Sequence, residues 1–191
     1  MPEAAASACL PADCWQQIFG TRRPLAVEIG PGRGEFLLAS ARREPGWSFF
    51  AIEHSASRAL RIADQLVRQH VDNARVLSGD AACLVELFPP ASVTAFYVLF
   101  PDPWWKRRHW KRRLWTPRFA AALDRALAVN GTVELITDVA AYFASALFQL
   151  NATPGLEVVT VGHPATLQTS FARKAARRGT PIYRSVHRKR A

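Results

Sequence analysis

An α/β fold with a mostly parallel, seven-stranded sheet covered by helices on both faces is what this sequence predicts, from three observations. Seven short β-rich runs are separated, over most of the chain, by longer stretches with apolar residues at helical spacing. Strand–helix alternation of that kind produces a parallel sheet with helices on either side. The first five runs also end in turns that carry an acid, at Glu28, Glu53, Asp80, Asp102 and Asp138. Ligands of open α/β sheets bind beyond the carboxyl ends of the strands.

The elements follow in order. Leu25–Ile29 (LAVEI) is a compact apolar run ending at Gly30 and reads as a buried first strand. Glu35 to Arg43 reads as a helix stopped by Pro45-Gly46, and Trp47–Ile52 as the second strand. From Ser55 to His70, apolar residues at Ala59, Leu60, Ile62, Ala63, Leu66 and Val67 mark one face of a helix. Arg75–Leu77 is a short third strand before Ser78-Gly79-Asp80. Val93–Leu99 (VTAFYVL), rich in β-branched and aromatic residues, is a fourth with a hard stop at Phe100-Pro101. Thr116-Pro117 supplies a hydroxyl cap and a proline at the first helical position, so a helix begins there. It is expected to run to about Val129 and to end at Asn130-Gly131. Thr132–Thr137 is the fifth strand, Val139 to about Leu150 a helix, and Leu156–Val161 and Ile182–Val186 the last two strands.

A chain of 191 residues, 49% of them hydrophobic, suits one globular domain spanning 1–191 and excludes overall disorder. Residues 1–22 read as an N-terminal extension and 163–191 as a basic C-terminal segment holding the last strand. No apolar stretch approaches the ~18 residues a membrane span needs, and the acidic, uncharged-to-polar start lacks a secretory signal. The expected location is the cytoplasm. Cys9, Cys14 and Cys83 form no CxxC pair, and no His/Cys/Asp cluster has metal-ligand spacing, so no metal is expected.

The net charge of +10 is unevenly placed. Residues 1–101 carry nine Arg and ten acids, whereas 102–191 carry sixteen Lys/Arg and five acids. A surface that was merely basic for solubility would not concentrate its charge in this way. The asymmetry points to a face that binds a polyanion.

Glu28-Ile-Gly30-Pro-Gly32-Arg-Gly34 joins the first strand to the first helix. Its glycines let a ligand approach the backbone. A dinucleotide fingerprint, GxGxxG, would need its third glycine at Glu35. An acid before GxGxG suits a sulfonium cation and an amino-acid end, and would repel a diphosphate. Glu53 falls nineteen residues after Gly34, near the ~20-residue offset at which an acid takes ribose hydroxyls. Asp80 and Ala81 are placed for an adenine. The acid before GxGxG resembles the first motif of Rossmann-like methyltransferases. With the acids that follow, this resemblance implies S-adenosyl-L-methionine as cofactor, bound by Glu28, Gly30, Gly32, Gly34, Glu53, Asp80 and Ala81.

After the fourth strand comes Phe100-Pro-Asp102-Pro-Trp-Trp-Lys106-Arg107-Arg108-His109-Trp110-Lys111-Arg112-Arg113, with six Lys/Arg in eight residues from Lys106. Basic side chains meet phosphates, and the interleaved tryptophans offer faces to unstacked bases. Asp102 is held between Pro101 and Pro103, which restrict the backbone on both sides. His109 reads as an RNA-facing or packing residue and His54 as a loop residue.

FPDPWWKRRHWKRR, with EIGPGRGEF before it, Ile136-Thr-Asp138 after it and the block from Thr169 to Tyr183, closely resembles the bacterial tRNA (guanine-N7)-methyltransferases, the TrmB family. The resemblance implies a Rossmann-like, class I S-adenosylmethionine-dependent methyltransferase that modifies the variable-loop guanosine 46 of tRNA at N7. It implies that Asp102 is the active-site acid. It also implies that Lys106, Arg107, Arg108, Lys111, Arg112, Arg113, Asp138, Thr169, Ser170 and Phe171 meet the substrate. One departure stands out: the family block reads Thr-x-Phe/Tyr-Glu, and here Ala172 occupies the Glu position. The alternatives are a methyltransferase of this fold with another substrate, which has no use for six basic residues after Asp102, and a noncatalytic RNA-binding relative. A monomer and a homodimer are both compatible with the sequence.

Overall fold

The computed structural model describes residues 9–103, 114–162 and 170–191. Seven strands form one sheet: β1 (Leu25–Ile29), β2 (Ser48–Glu53), β3 (Ala74–Ser78), β4 (Val93–Leu99), β5 (Leu127–Thr137), β6 (Leu156–Gly162) and β7 (Tyr183–Lys189). Their order is β3-β2-β1-β4-β5-β7-β6. β1 to β5 are parallel, and β7 runs antiparallel to both β5 and β6. The expected mostly parallel seven-stranded sheet is therefore present. The order reverses between β1 and β4, so the crevice for a ligand opens beyond the carboxyl ends of those strands.

Alternation along the strands assigns the two faces. Leu25, Val27, Ile29, Phe50, Ile52, Phe96, Val98, Val133 and Leu135 point into one core, shared with α4 (Ala81–Val85), α5 (Pro117–Ala126) and α6 (Ala140–Asn151). The intervening Ala26, Phe49, Ala51 and Ala95 point into the other, beneath α2 (Glu35–Arg43) and α3 (Ala56–Arg68). Glu28 and Glu53 belong by this parity to the second face, on neighbouring strands, with Glu53 two residues beyond the register partner of Glu28.

Three short helices escaped the sequence reading, one of them α4, directly after Asp80. α1 (Cys14–Phe19) lies in the N-terminal extension, where Trp15 packs edge-on against Phe50 and Phe88 and its indole N–H donates to Ser92 Oγ at 3.1 Å. α7 (Ser170–Arg177) lies in the C-terminal segment. One boundary is corrected. The helix opened by Thr116, whose Oγ1 accepts from Phe119 N–H at 3.1 Å, ends at Ala126 and not near Val129. Leu127 is extended and pairs with Val93, after which the ladder resumes only at Ala95 with Thr132. Asn130-Gly131 thus sits in an excursion of β5, with Asn130 at φ +64°. Burying Leu127 in the sheet outweighed continuing the helix.

Candidate functional site: a carboxylate-lined cleft at the carboxyl edge

Because β1 to β5 are parallel, all five expected acids fall on one edge of the sheet. Between β1 and α2 the chain turns through Gly30, Gly32 and Gly34, all with positive φ (+71°, +59° and +75°). Residues with side chains rarely adopt that conformation in succession. At Gly34 space adds a second demand, since a Cβ there would lie 3.2 Å from Ile62 of α3. Gly30 N–H donates to Ile52 O and Gly34 N–H to Pro31 O, so the loop is anchored to β2 and closed on itself.

Two acids lie beneath this loop. Glu28 is 4% and Glu53 2% exposed. Burial raises the Glu28 carboxyl to about 8; the neighbouring Glu53 pushes in the same sense and the Leu37 backbone N–H opposes both. Glu28 Oε2 is buried without a hydrogen-bond partner. A buried carboxyl left in that state destabilises the fold, and a cation placed against it removes the penalty. Glu53 is held differently. Its Oε2 accepts from Gly32 N–H at 3.2 Å, and its Oε1 accepts from Ser55 N–H at 2.9 Å and Arg58 Nε at 3.0 Å. The chemistry of this donor set fits a cationic cofactor that carries hydroxyls, and does not fit a diphosphate.

Arg58 is a site residue that sequence reasoning missed. It stands in the first turn of α3, where a positive charge opposes the helix dipole. An ion pair with the buried Glu53 at 2.8 Å accounts for its placement. That unfavourable helix position, five residues beyond Glu53, was the available signal.

The remaining expected residues are more exposed. Asp80 caps α4, accepting from Ala82 N–H at 2.9 Å, so one of its oxygens is already engaged, and Ala81 is partly buried beside it. Gly79 N–H donates to Glu53 O, tying the ends of β2 and β3 together. Phe100 takes φ +50°, and its N–H donates to Ile136 O at 2.7 Å. That kink is uncommon for a phenylalanine. It turns the chain off the sheet, and Pro101-Asp102-Pro103 leaves from the same edge with Asp102 exposed. Asp138 is exposed immediately after β5. Lys106, Arg107, Arg108, Lys111, Arg112, Arg113 and Thr169 lie outside the described residues. Ser170 and Phe171 open α7, and their side chains are also outside them. Among the described residues no group of His, Cys, Asp and Glu could hold a metal, and no helix is long and apolar enough to cross a membrane.

A family model described as "Putative methyltransferase" matches residues 22–185. The 16S rRNA methyltransferase KamB superposes with a TM-score of 0.72 over 93% of both chains at 15% identity, a likeness that speaks to the fold alone. Fold and cleft together define a Rossmann-like class I methyltransferase dependent on S-adenosylmethionine. At the level of sequence, the tRNA (guanine-N(7)-)-methyltransferase of Acidithiobacillus ferrooxidans is 36% identical over 92% of this chain and 80% of its own. That of Geobacillus kaustophilus is 34% identical over 89% and 81%. The chain belongs to the tRNA (guanine-N(7)-)-methyltransferase family.

Proposed function

We propose that this protein methylates N7 of a guanosine in tRNA, at position 46 of the variable loop, as a single catalytic domain working in the cytoplasm. The observation that carries the reading is the buried Glu28 carboxyl beneath the glycine loop, whose Oε2 has no hydrogen-bond partner, read with family membership. When bound, S-adenosylmethionine supplies an electrophilic methyl group on a sulfonium. Glu28 faces the cationic part of that cofactor, Glu53 takes its ribose hydroxyls, and Asp80 with Ala81 borders its adenine.

Guanine N7 carries an in-plane lone pair and no proton, so the protein has no base to provide. Its contribution is orientation, which in well-built sites is worth roughly 7–11 kcal/mol. Asp102, stiffened by a proline on each side, accepts from the guanine N1–H and N2 amine. In that position it favours the positive charge that develops on the purine. Lys106 approaches O6 or a phosphate, and Lys111, Arg112 and Arg113 hold the RNA backbone.

The deciding experiment is incubation with labelled S-adenosylmethionine and tRNA, followed by nucleoside analysis. Labelled 7-methylguanosine is expected, and its absence despite cofactor binding rejects the enzymatic reading. Asp102→Ala is expected to lower kcat by about 10²-fold or more while tRNA affinity changes by less than about threefold. Equal losses in both would remove Asp102 from its assigned position.

A further inference from the structure

Where the C-terminal segment lies follows from topology. β6 runs antiparallel to β7, and β7 antiparallel to β5, so β6 is directed like the five parallel strands. The end of β6 at Gly162 and the start of β7 at Tyr183 therefore lie at the same carboxyl edge as the glycine loop, Asp102 and Asp138, and α7 lies between them in sequence. Two contacts secure α7 there. Ala175 is buried at 2% exposure, and Arg173 Nη2 reaches Glu35 Oε2 at 3.2 Å across 138 residues of sequence. Glu35 is the first residue of α2, directly after Gly34. An acid is favoured at that helix position on electrostatic grounds, and its carboxylate stands beside the loop beneath which Glu28 and Glu53 lie.

Side-chain exposures of 57% for Arg173 and 31% for Glu35 mark this as a solvent-screened pair. Such pairs contribute little to stability, so burial of Ala175 carries more of the anchoring than the ion pair. The pair nevertheless links α7 to the residue directly after the glycine loop. Arg173, Arg177 and Arg178, on α7 and just after it, are exposed and add basic side chains to this part of the molecule, far in sequence from the run after Asp102. We propose that Arg173 is a positioning residue, which through Glu35 docks the basic helix α7 beside the cofactor loop and so presents its basic side chains to incoming RNA. This rests on the tRNA-methyltransferase reading.

Steady-state kinetics and calorimetry on the full chain test it. Arg173→Glu and Glu35→Arg, each alone, are expected to raise KM for tRNA about fivefold, the scale of one exposed ion pair. In both variants kcat at saturation should stay within about twofold of wild type. The melting temperature should stay within about a degree in Arg173→Glu, while Glu35→Arg, which reverses a favoured charge in the first turn of α2, should lose a few degrees by that cause alone. Arg173→Lys should keep most of the wild-type KM, and the exchanged pair Glu35→Arg/Arg173→Glu should recover it to within about twofold. An exchanged pair no better than the single variants overturns the proposal, as does a KM that neither single variant moves. A fall in the melting temperature of Arg173→Glu that parallels the loss would reduce the pair to a structural role and also overturns it. If the wild type transfers no methyl to tRNA, the functional reading fails by itself. The positioning role is then judged by S-adenosylmethionine affinity alone: weakened in Arg173→Glu and recovered in the exchange, or refuted by no change.

Discussion

Glu28 shows how a single residue can be set against the fold for the sake of a ligand. Its carboxyl titrates at about 8 in the folded chain against 4.5 when unperturbed. The unfolded chain therefore gives up this proton first, and stability falls as pH rises from about 4.5 to about 8. The full effect is at most about 5 kcal/mol. Glu28→Gln is expected to melt several degrees above wild type at pH 8 and close to it at pH 4.5, while its affinity for S-adenosylmethionine drops at least tenfold. Melting curves across pH and calorimetry at neutral pH check both halves. A variant neither more stable nor weaker in binding would show that the buried carboxyl is inert. Wild-type affinity for the cationic cofactor should itself rise as pH approaches 8, because binding favours the ionised carboxylate. Arg58 adds a complementary case. A cation in the first turn of α3 is a poor choice for the helix and a good one for the Glu53 carboxylate.

At the scale of elements, the antiparallel end of the sheet depends on close fits. Gly155 comes so near Asp124 that an added Cβ would lie 2.2 Å from Oδ1, and the same oxygen accepts from Lys189 Nζ at 2.6 Å. Gly155→Ala must displace that pair and the start of β6, with an expected cost of about 1–3 kcal/mol. Gly46→Ala, with open space around it, should be close to neutral, and urea denaturation of the two variants makes the comparison. On β7, His187 is fully buried with its Nε2 2.9 Å from Asn151 Oδ1, and its Nδ1 has no partner. Burial lowers its pKa from 6.5 to about 4. The unfolded chain takes up this proton first, so stability is intact above about pH 6.5 and is lost as pH falls toward 4. The loss amounts to about 3 kcal/mol at the lower end. Chemical denaturation at pH 7 and pH 4.5 should reveal it, and a His187→Gln variant that folds should lack this acid-side slope. The corrected end of α5 belongs to this scale too. Asn130-Gly131 carries a strong stop signal, yet the helix had already ended at Ala126, where Leu127 entered the ladder beside Val93. Local turn chemistry could not register a pairing made with a residue 34 positions earlier.

For the whole molecule, the charge asymmetry carries the prediction. If about six basic residues after Asp102 meet phosphates, tRNA affinity should fall ~10³-fold between 50 and 200 mM salt. Replacing Lys111, Arg112 and Arg113 by Ala should weaken binding and flatten that dependence by about three charges, measured by filter binding across salt concentrations. An unchanged slope would mean that these residues do not reach the RNA backbone.

Much of this protein is legible along the chain because its physics is local. Short apolar runs and helical spacing announced the strands and the longer helices, and Pro101-Asp102-Pro103 declared a stiff acid without reference to anything distant. The glycines of Gly30, Gly32 and Gly34 likewise signalled positive φ, which the loop adopts at each. α1, α4 and α7 were not legible, since short helices owe their stability to what they pack against. The alternation of elements, the family and the chemistry of the cofactor loop can all be read along the chain. Three facts came only with the folded chain: Glu28 is buried with Oε2 unsatisfied, Arg58 holds Glu53, and Arg173 meets Glu35 beside Gly34. Burial and charge pairing depend on which distant segments share a space, and that is settled by the packing of the whole sheet.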